Sequence, residues 1–256
     1  MMGEADEDFR ALLKPLFAAM AADLELLALL HDREISKEQT DILADYRFSE
    51  GLGLQLNHEK ASLVIKSLDE CLEQLITADG SGLLDELACD YAAIYLNHTY
   101  RASPLESVWI DDENLVCQDA MFDVRETYKK YGMSAENWRI RSDDHLVCQM
   151  QFFSTVMRNS EPDMTVLRDL ADFYDEHLFR WLNRFSQRVS ERCRLSFYAS
   201  LGELTELYFE SMRDCFAEIL AEPRPDREAI EKRITQRKAL PEAVVMQYMP
   251  GHSPSW

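Results

Sequence analysis

Two polar segments hold the residue types best suited to chemistry. Ser142-Asp143-Asp144-His145 sets two carboxylates beside an imidazole, and Ser103-Pro104-Leu105-Glu106-Ser107-Val108-Trp109 brings proline, acid and tryptophan together. A carboxylate can orient an imidazole for general-base work. Adjacent residues on a helix point to different sides, however, so Asp144 and His145 form no triad by themselves. Asp143 and Asp144 can equally cap a helix that carries His145 in its first turn, because carboxylates favour a helix N-terminus. A third use is pairing with a cationic ligand. Capping, binding and catalysis all remain open from these residues alone.

The rest of the chain narrows the choice. It contains no Gly-x-Gly-x-x-Gly, no phosphate-loop Gly-Lys-Ser/Thr, no His-Glu-x-x-His and no Gly-x-Ser-x-Gly. Cys71, Cys89, Cys117, Cys148, Cys193 and Cys215 form no Cys-x-x-Cys pair and lie near no histidine at zinc-ligand spacing. No metal and no cofactor is therefore expected. Most of these cysteines sit among apolar neighbours and read as buried, reduced thiols of a cytosolic protein. With 47 acidic and 27 basic residues the formal charge is -20. That balance argues against nucleic acid and favours cationic partners. The acidic start, Met1 to Asp8, does not suit a signal peptide, and no run of about 18 apolar residues suits a membrane span.

The elements that must position the two segments read as helices. The chain has 256 residues, 46% of them hydrophobic, with only 8 Gly and 8 Pro. An all-α fold of about eight or more helices, in one globular domain, follows from that composition. Leu13, Leu16, Phe17, Met20, Leu24, Leu27 and Leu30 recur at helical spacing, and a second stripe covers Lys60 to Thr77. Leu84, Leu87, Ala88, Tyr91 and Tyr95 form another stripe, which ends before Pro104. Residues 99–114 form an irregular joint, in which Ser107 to Ile110 reads as a short extended piece and Asp111 to Asn114 as a turn or cap. A helix through Met121, Val124 and Tyr128 closes at Gly132, and the next carries Leu146, Met150, Phe153 and Met157. One long helix is expected through Leu167, Leu170, Tyr174, Leu178, Trp181 and Phe185, and a further long one from Tyr198 to Ile219. His177, Trp181, Phe185, Phe197 and Tyr198 read as core residues. Residues 1–222 are expected to form the helical domain. Residues 223–256, with 6 basic and 4 acidic residues, form a basic tail, partly helical or disordered, with a frayed end from Gly251.

Taken in order, LACDYAAIYL (Leu87 to Leu96), SPLESVWIDDENLV, YKKYGM, SDDHL, HLFRWLNRF and FYASLGELTEL resemble the TorD/DmsD family of redox-enzyme maturation chaperones. Trp109 and the run into Asn114 look most like its dimethyl sulfoxide reductase branch. The resemblance spans roughly residues 60 to 220. It implies a cytoplasmic all-helical chaperone, not an enzyme. Such a chaperone binds the twin-arginine signal peptide of a molybdenum-cofactor oxidoreductase precursor and delays export until the cofactor is in place. It implies a monomer or a domain-swapped dimer. Carried over by position, Tyr91, Ile94, Tyr95, Pro104, Leu105, Asp144 and His145 belong to the binding face. The family's usual Glu-Pro before Asp-His is absent here, and Leu105 stands where an aromatic is common.

Physical chemistry fits that expectation. An acidic surface steers a cationic leader. Exposed ion pairs contribute only about 0.2–1 kcal/mol each, against about 8 kcal/mol for micromolar binding. The apolar run of the leader must therefore bury itself, in a groove expected to be lined by Tyr91, Ile94, Tyr95, Leu105 and Trp109. Asp143 and Asp144 are assigned to the arginines. The alternatives are a helical adaptor for a folded subunit and a hydrolase centred on Asp144 and His145.

Overall fold

The computed structural model describes residues 4–77 and 82–239. Its helices are α1 (Glu4–Asp32), α2 (Lys37–Asp45), α3 (Ala61–Thr77), α4 (Leu83–Tyr91), α5 (Ser107–Ile110), α6 (Asp119–Lys130), α7 (Leu146–Asn159), α8 (Met164–Glu176), α9 (Leu182–Arg192), α10 (Ser196–Leu220) and α11 (Arg227–Ala239). Among the described residues there is no strand, only one isolated bridge, so the expected all-α class holds. None of the described helices is long and apolar enough to cross a membrane.

Local sequence explains most boundaries. Pro15 lies inside α1, but it and Ala11 are both exposed. The carbonyl that proline leaves without a donor therefore faces water. α2 lacks a strong apolar stripe and was not expected. It is set by a capping box in which Ser36 Oγ accepts from the Gln39 amide and Gln39 Oε1 accepts from the Ser36 amide. α6 closes where foreseen: Gly132 takes a left-handed conformation (φ 67°), and the Met133 amide returns to the Tyr128 carbonyl. α8 begins at Asp163, whose Oδ1 accepts from the Thr165 and Val166 amides.

Two expectations fail. The long helix through Phe185 is broken into α8, a 3₁₀ turn (Leu178–Arg180) and α9. The break falls at His177 (φ -117°, ψ -86°), whose ring turns to a buried glutamate instead of continuing the helix. Ser107 to Ile110 is not extended but a single turn, α5. Its first amide is held by a distant carboxylate, a contact that no local pattern encodes.

The described residues up to Arg224 form one compact unit. Within it α10 is the central element, with α3, α8 and α9 against it, while α1 packs along α7 and α2 on α3. Trp181, Phe185, Phe197, Tyr198, Tyr208 and Phe209 are buried at its centre. A bidentate Arg213–Asp175 pair, with both N–O distances at 2.9 Å, ties α10 to α8 in the interior. A second unit begins at Pro225 and contains α11, opened by Asp226, whose Oδ1 accepts from the Ala229 amide. Residues 78–81 and the end from Gly251 lie outside the described residues.

Candidate functional site

The two polar segments meet. Leu105 and His145 form the isolated antiparallel bridge: the Leu146 amide donates to the Pro104 carbonyl (2.8 Å) and the Glu106 amide to the Asp144 carbonyl (3.2 Å). A loop preceding α5 and the loop entering α7 therefore share one short seam.

Beneath the seam lies a buried polar network. Asp144 is fully buried, and its Oδ2 accepts from the Ser107 amide (2.8 Å) and the Ser107 hydroxyl, while Oδ1 accepts from Ser142 Oγ (2.5 Å). It caps α5 from another part of the chain. Asp143 is also buried and accepts from Arg125 Nε (3.2 Å) and NH2 (2.7 Å), and the Tyr128 hydroxyl donates to its carbonyl. Both carboxylates already have internal donors, so neither is presented to an incoming arginine. Nor does either cap α7. His145 does so itself, with Nδ1 accepting from the Val147 amide (3.1 Å).

That geometry also removes the acid–imidazole pair of the hydrolase reading. Asp144 points to serines, not to His145. Burial, followed by the nearby Arg141 charge, holds His145 down at about 3, so its ring is a weak base. Burial pushes the neighbouring Cys148 thiol up to about 12, which keeps it protonated. Among the described residues no three His, Cys, Asp or Glu side chains converge as metal ligands would.

Glu106 is the centre of the network and was not singled out from sequence. It is fully buried, with Oε1 at 2.9 Å from His177 Nδ1 and Oε2 accepting from Gln149 Nε2 (2.8 Å). Burial raises its carboxyl, against the pull of His177. Its contact with His177 accounts for the break between α8 and α9.

The aromatic side of the site comes from α4. After Tyr91 the helix widens into a π-helical turn (Ala92–Leu96), where the Asn97 amide reaches back to the Ala92 carbonyl. Tyr91 and Tyr95 thereby lie with ring centroids 5.0 Å apart. The Tyr91 hydroxyl donates to the Asp32 carbonyl (2.7 Å). Tyr95 enters a relay whose proton directions are fixed. Thr205 Oγ1 donates to the Leu201 carbonyl, so it accepts from His31 Nε2 (2.9 Å), and His31 Nδ1 accepts from the Tyr95 hydroxyl (2.5 Å). His31 is neutral, held down at about 3 by burial.

The expected lining residues are thus unequal. Tyr91, Ile94 and Pro104 are buried, while Tyr95, Leu105, Trp109 and His145 are half-buried. Trp109 Nε1 donates to the Ser103 carbonyl (2.7 Å), and the Arg184 guanidinium lies over its ring. Exposed apolar side chains occur at Leu96, Trp138 and Ile140, with Ile140 84% exposed, and Arg125 connects Trp138, whose ring it overlies, to Asp143. Behind Ile140 a cavity of about 720 Å³ runs between residues 132–141 and α7, over Tyr128, Met133, Cys148 and Phe152. Arg141 stands at its edge in an ion pair with Asp32 at the end of α1. Only spatial proximity reveals this cavity. Among the cysteines, Cys71 is buried, Cys89 and Cys117 are exposed and the other three are half-buried. All six are free, but the expectation that most are buried is corrected.

Comparison with known proteins places this arrangement. A family profile described as Nitrate reductase delta subunit matches residues 58–187, which include the whole seam. Chaperone protein TorD of Vibrio cholerae serotype O1 is 25% identical over 173 residues, covering 65% of this chain and 77% of the relative. Chaperone protein TorD of Aliivibrio salmonicida is 25% identical over 191 residues, covering 72% and 88%. The TorD of Escherichia coli O81 is 23% identical over 188 residues, covering 72% and 89%. With the profile spanning half of its length, the chain belongs to the TorD-like family of the nitrate reductase delta subunit.

Proposed function

We propose that this protein is a cytoplasmic redox-enzyme maturation chaperone. Its client is a molybdenum-cofactor oxidoreductase, of the dimethyl sulfoxide reductase type, held through its twin-arginine leader until the cofactor is inserted. The observation that carries this reading is the cavity lined by Tyr128, Met133, Ile140, Arg141 and Cys148, whose Arg141 leads within a few residues into the Leu105–His145 seam. Its volume is within the range of ligand-binding clefts. It accepts the apolar run of a leader, which must supply most of the affinity.

The buried roles of Asp143 and Asp144 change how the arginines are met. We assign them to Asp32, which is paired with the half-exposed Arg141 at the cavity edge. A leader guanidinium takes the place of Arg141 on that carboxylate. Asp143, Asp144, Glu106 and Pro104 hold the seam rigid, while Tyr95, Leu105, Trp109 and His145 form its accessible edge.

Calorimetric titration with a twin-arginine leader peptide, against the same peptide carrying a lysine pair, tests this. Micromolar binding of the arginine form is expected. Ile140→Asp, at an exposed position, should weaken it at least tenfold, since burying one such side chain contributes about 1.5–3 kcal/mol. Failure of all leader peptides, with retained binding of an apo-enzyme lacking its leader, would favour a helical adaptor for a folded subunit. The family description as a delta subunit is the observation behind that second reading.

A further inference from the structure

Asp32 ends α1 at the edge of the cavity, and its backbone is held firmly. Its carbonyl accepts from the Tyr91 hydroxyl (2.7 Å). The preceding residue, His31, is buried and bonds through both ring nitrogens, to Tyr95 and to Thr205. These contacts fix where the Asp32 side chain stands without using its carboxylate.

The carboxylate meets two arginines of the same chain. Arg141 lies against Oδ1, and Arg33 Nε lies 3.5 Å from Oδ2. Both reach it from the surface: the Arg33 side chain is 71% exposed and that of Arg141 37%, against 16% for Asp32. The same charges surround one hydroxyl. Burial raises the Tyr91 phenol, Asp32 and Glu34 push it the same way, and Arg141 and Arg33 oppose them.

A second observation concerns the oxygen against Arg141. Oδ1 is buried, yet it accepts no hydrogen bond from any described residue. Arg141 balances its charge without an aligned N–H, so a desolvation cost stays in place.

Building on the leader reading, we propose that Arg33 and Arg141 are internal competitors that set the affinity of the arginine site. They hold Asp32 until a leader displaces them. A guanidinium presents two parallel N–H groups and covers both oxygens of one carboxylate. One leader arginine therefore replaces both internal contacts and supplies the donor that Oδ1 lacks. A lysine ammonium is a single point charge and replaces only one of them. Both competitors belong to the chain, so they return whenever a leader leaves. Exposed ion pairs are weak, so the exchange nearly balances, and net affinity is left to the apolar run.

The test takes the leader peptides of the calorimetric titration to full-length variants. R33Q/R141Q keeps Asp32 and removes both competitors. It should bind the arginine form about fivefold more tightly than wild type, as expected for exposed ion pairs, and the lysine form with a smaller gain. Removing two positive charges also strengthens the long-range attraction of any cationic peptide. The same two substitutions are therefore made on Asp32→Asn. There they should change affinity less than about twofold, because the competition needs the carboxylate. Arg33→Gln alone, at the more exposed position, should tighten binding about twofold and serves if the double variant does not fold. Equal or weaker binding of the arginine form by the folded variant, or an equal gain in the Asp32→Asn background, would overturn this inference and leave the leader reading intact. Failure of every leader peptide on wild type would overturn both.

Discussion

At the scale of residues, Asp143 and Asp144 hold the chain rather than a ligand. Asp144 accepts two hydrogen bonds from Ser107 and one from Ser142 while fully buried. Hydrogen bonds to a charged group contribute about 1.5–3 kcal/mol. Asp144→Ala should therefore destabilise the fold by about 2–3 kcal/mol in denaturant titration. A loss below about 0.5 kcal/mol, the usual range for surface positions, would return Asp144 to a ligand-facing role. Asp32 should behave in the opposite way. Asp32→Asn should leave stability nearly unchanged and weaken leader binding about fivefold, as expected for one partly exposed ion pair of about 1 kcal/mol. The sequence made Asp143, Asp144 and His145 conspicuous, because polar runs interrupt helical periodicity. It did not separate their roles, since capping and ligand pairing need the same residue type. Glu106 escaped notice for the same reason: nothing local announces that His177 and Gln149 meet it from distant helices.

At the scale of elements, long amphipathic helices were readable and their interruptions were not. α1, α3, α6, α7 and α10 follow apolar stripes. α2 depends on a capping box, α5 on a remote carboxylate, and the break after α8 on one histidine. The His31 relay is the tertiary counterpart, joining α1, the π-helical turn and α10 through Tyr95 and Thr205. It has a pH signature. The folded-state value of His31 lies at about 3, below its ordinary 6.5. Unfolding thus takes up a proton in that interval, and stability falls as pH drops from 6.5 toward 3. Glu106 acts in the other sense, because its raised carboxyl favours the folded state at low pH and loses that advantage above 4.5. His31→Gln should flatten the acid loss by up to about 1.4 kcal/mol per pH unit. Thermal melts between pH 7 and 4 check this, and an unaltered slope would place the acid sensitivity elsewhere.

At the scale of the whole molecule, 47 acidic against 27 basic residues impose a negative field on approaching cations. Association of a leader peptide should slow and weaken as salt rises, while the apolar contribution persists. Stopped-flow rates at low and high ionic strength separate the two. The family and the all-α class were legible in ordered motifs spread over most of the chain. The cavity was not, because its walls come from α6, residues 132–141 and α7, and only folding brings them together. In the proposed function the leader lies along the Leu105–His145 seam with its apolar run in that cavity. A leader peptide with a photoreactive benzoyl group in its apolar run tests this most directly, by mass-spectrometric mapping of its cross-links on the full-length protein. Cross-links concentrated in residues 132–141 and 96–105 are expected. Cross-links confined to α3 and α10, or spread without preference over the surface, would contradict it.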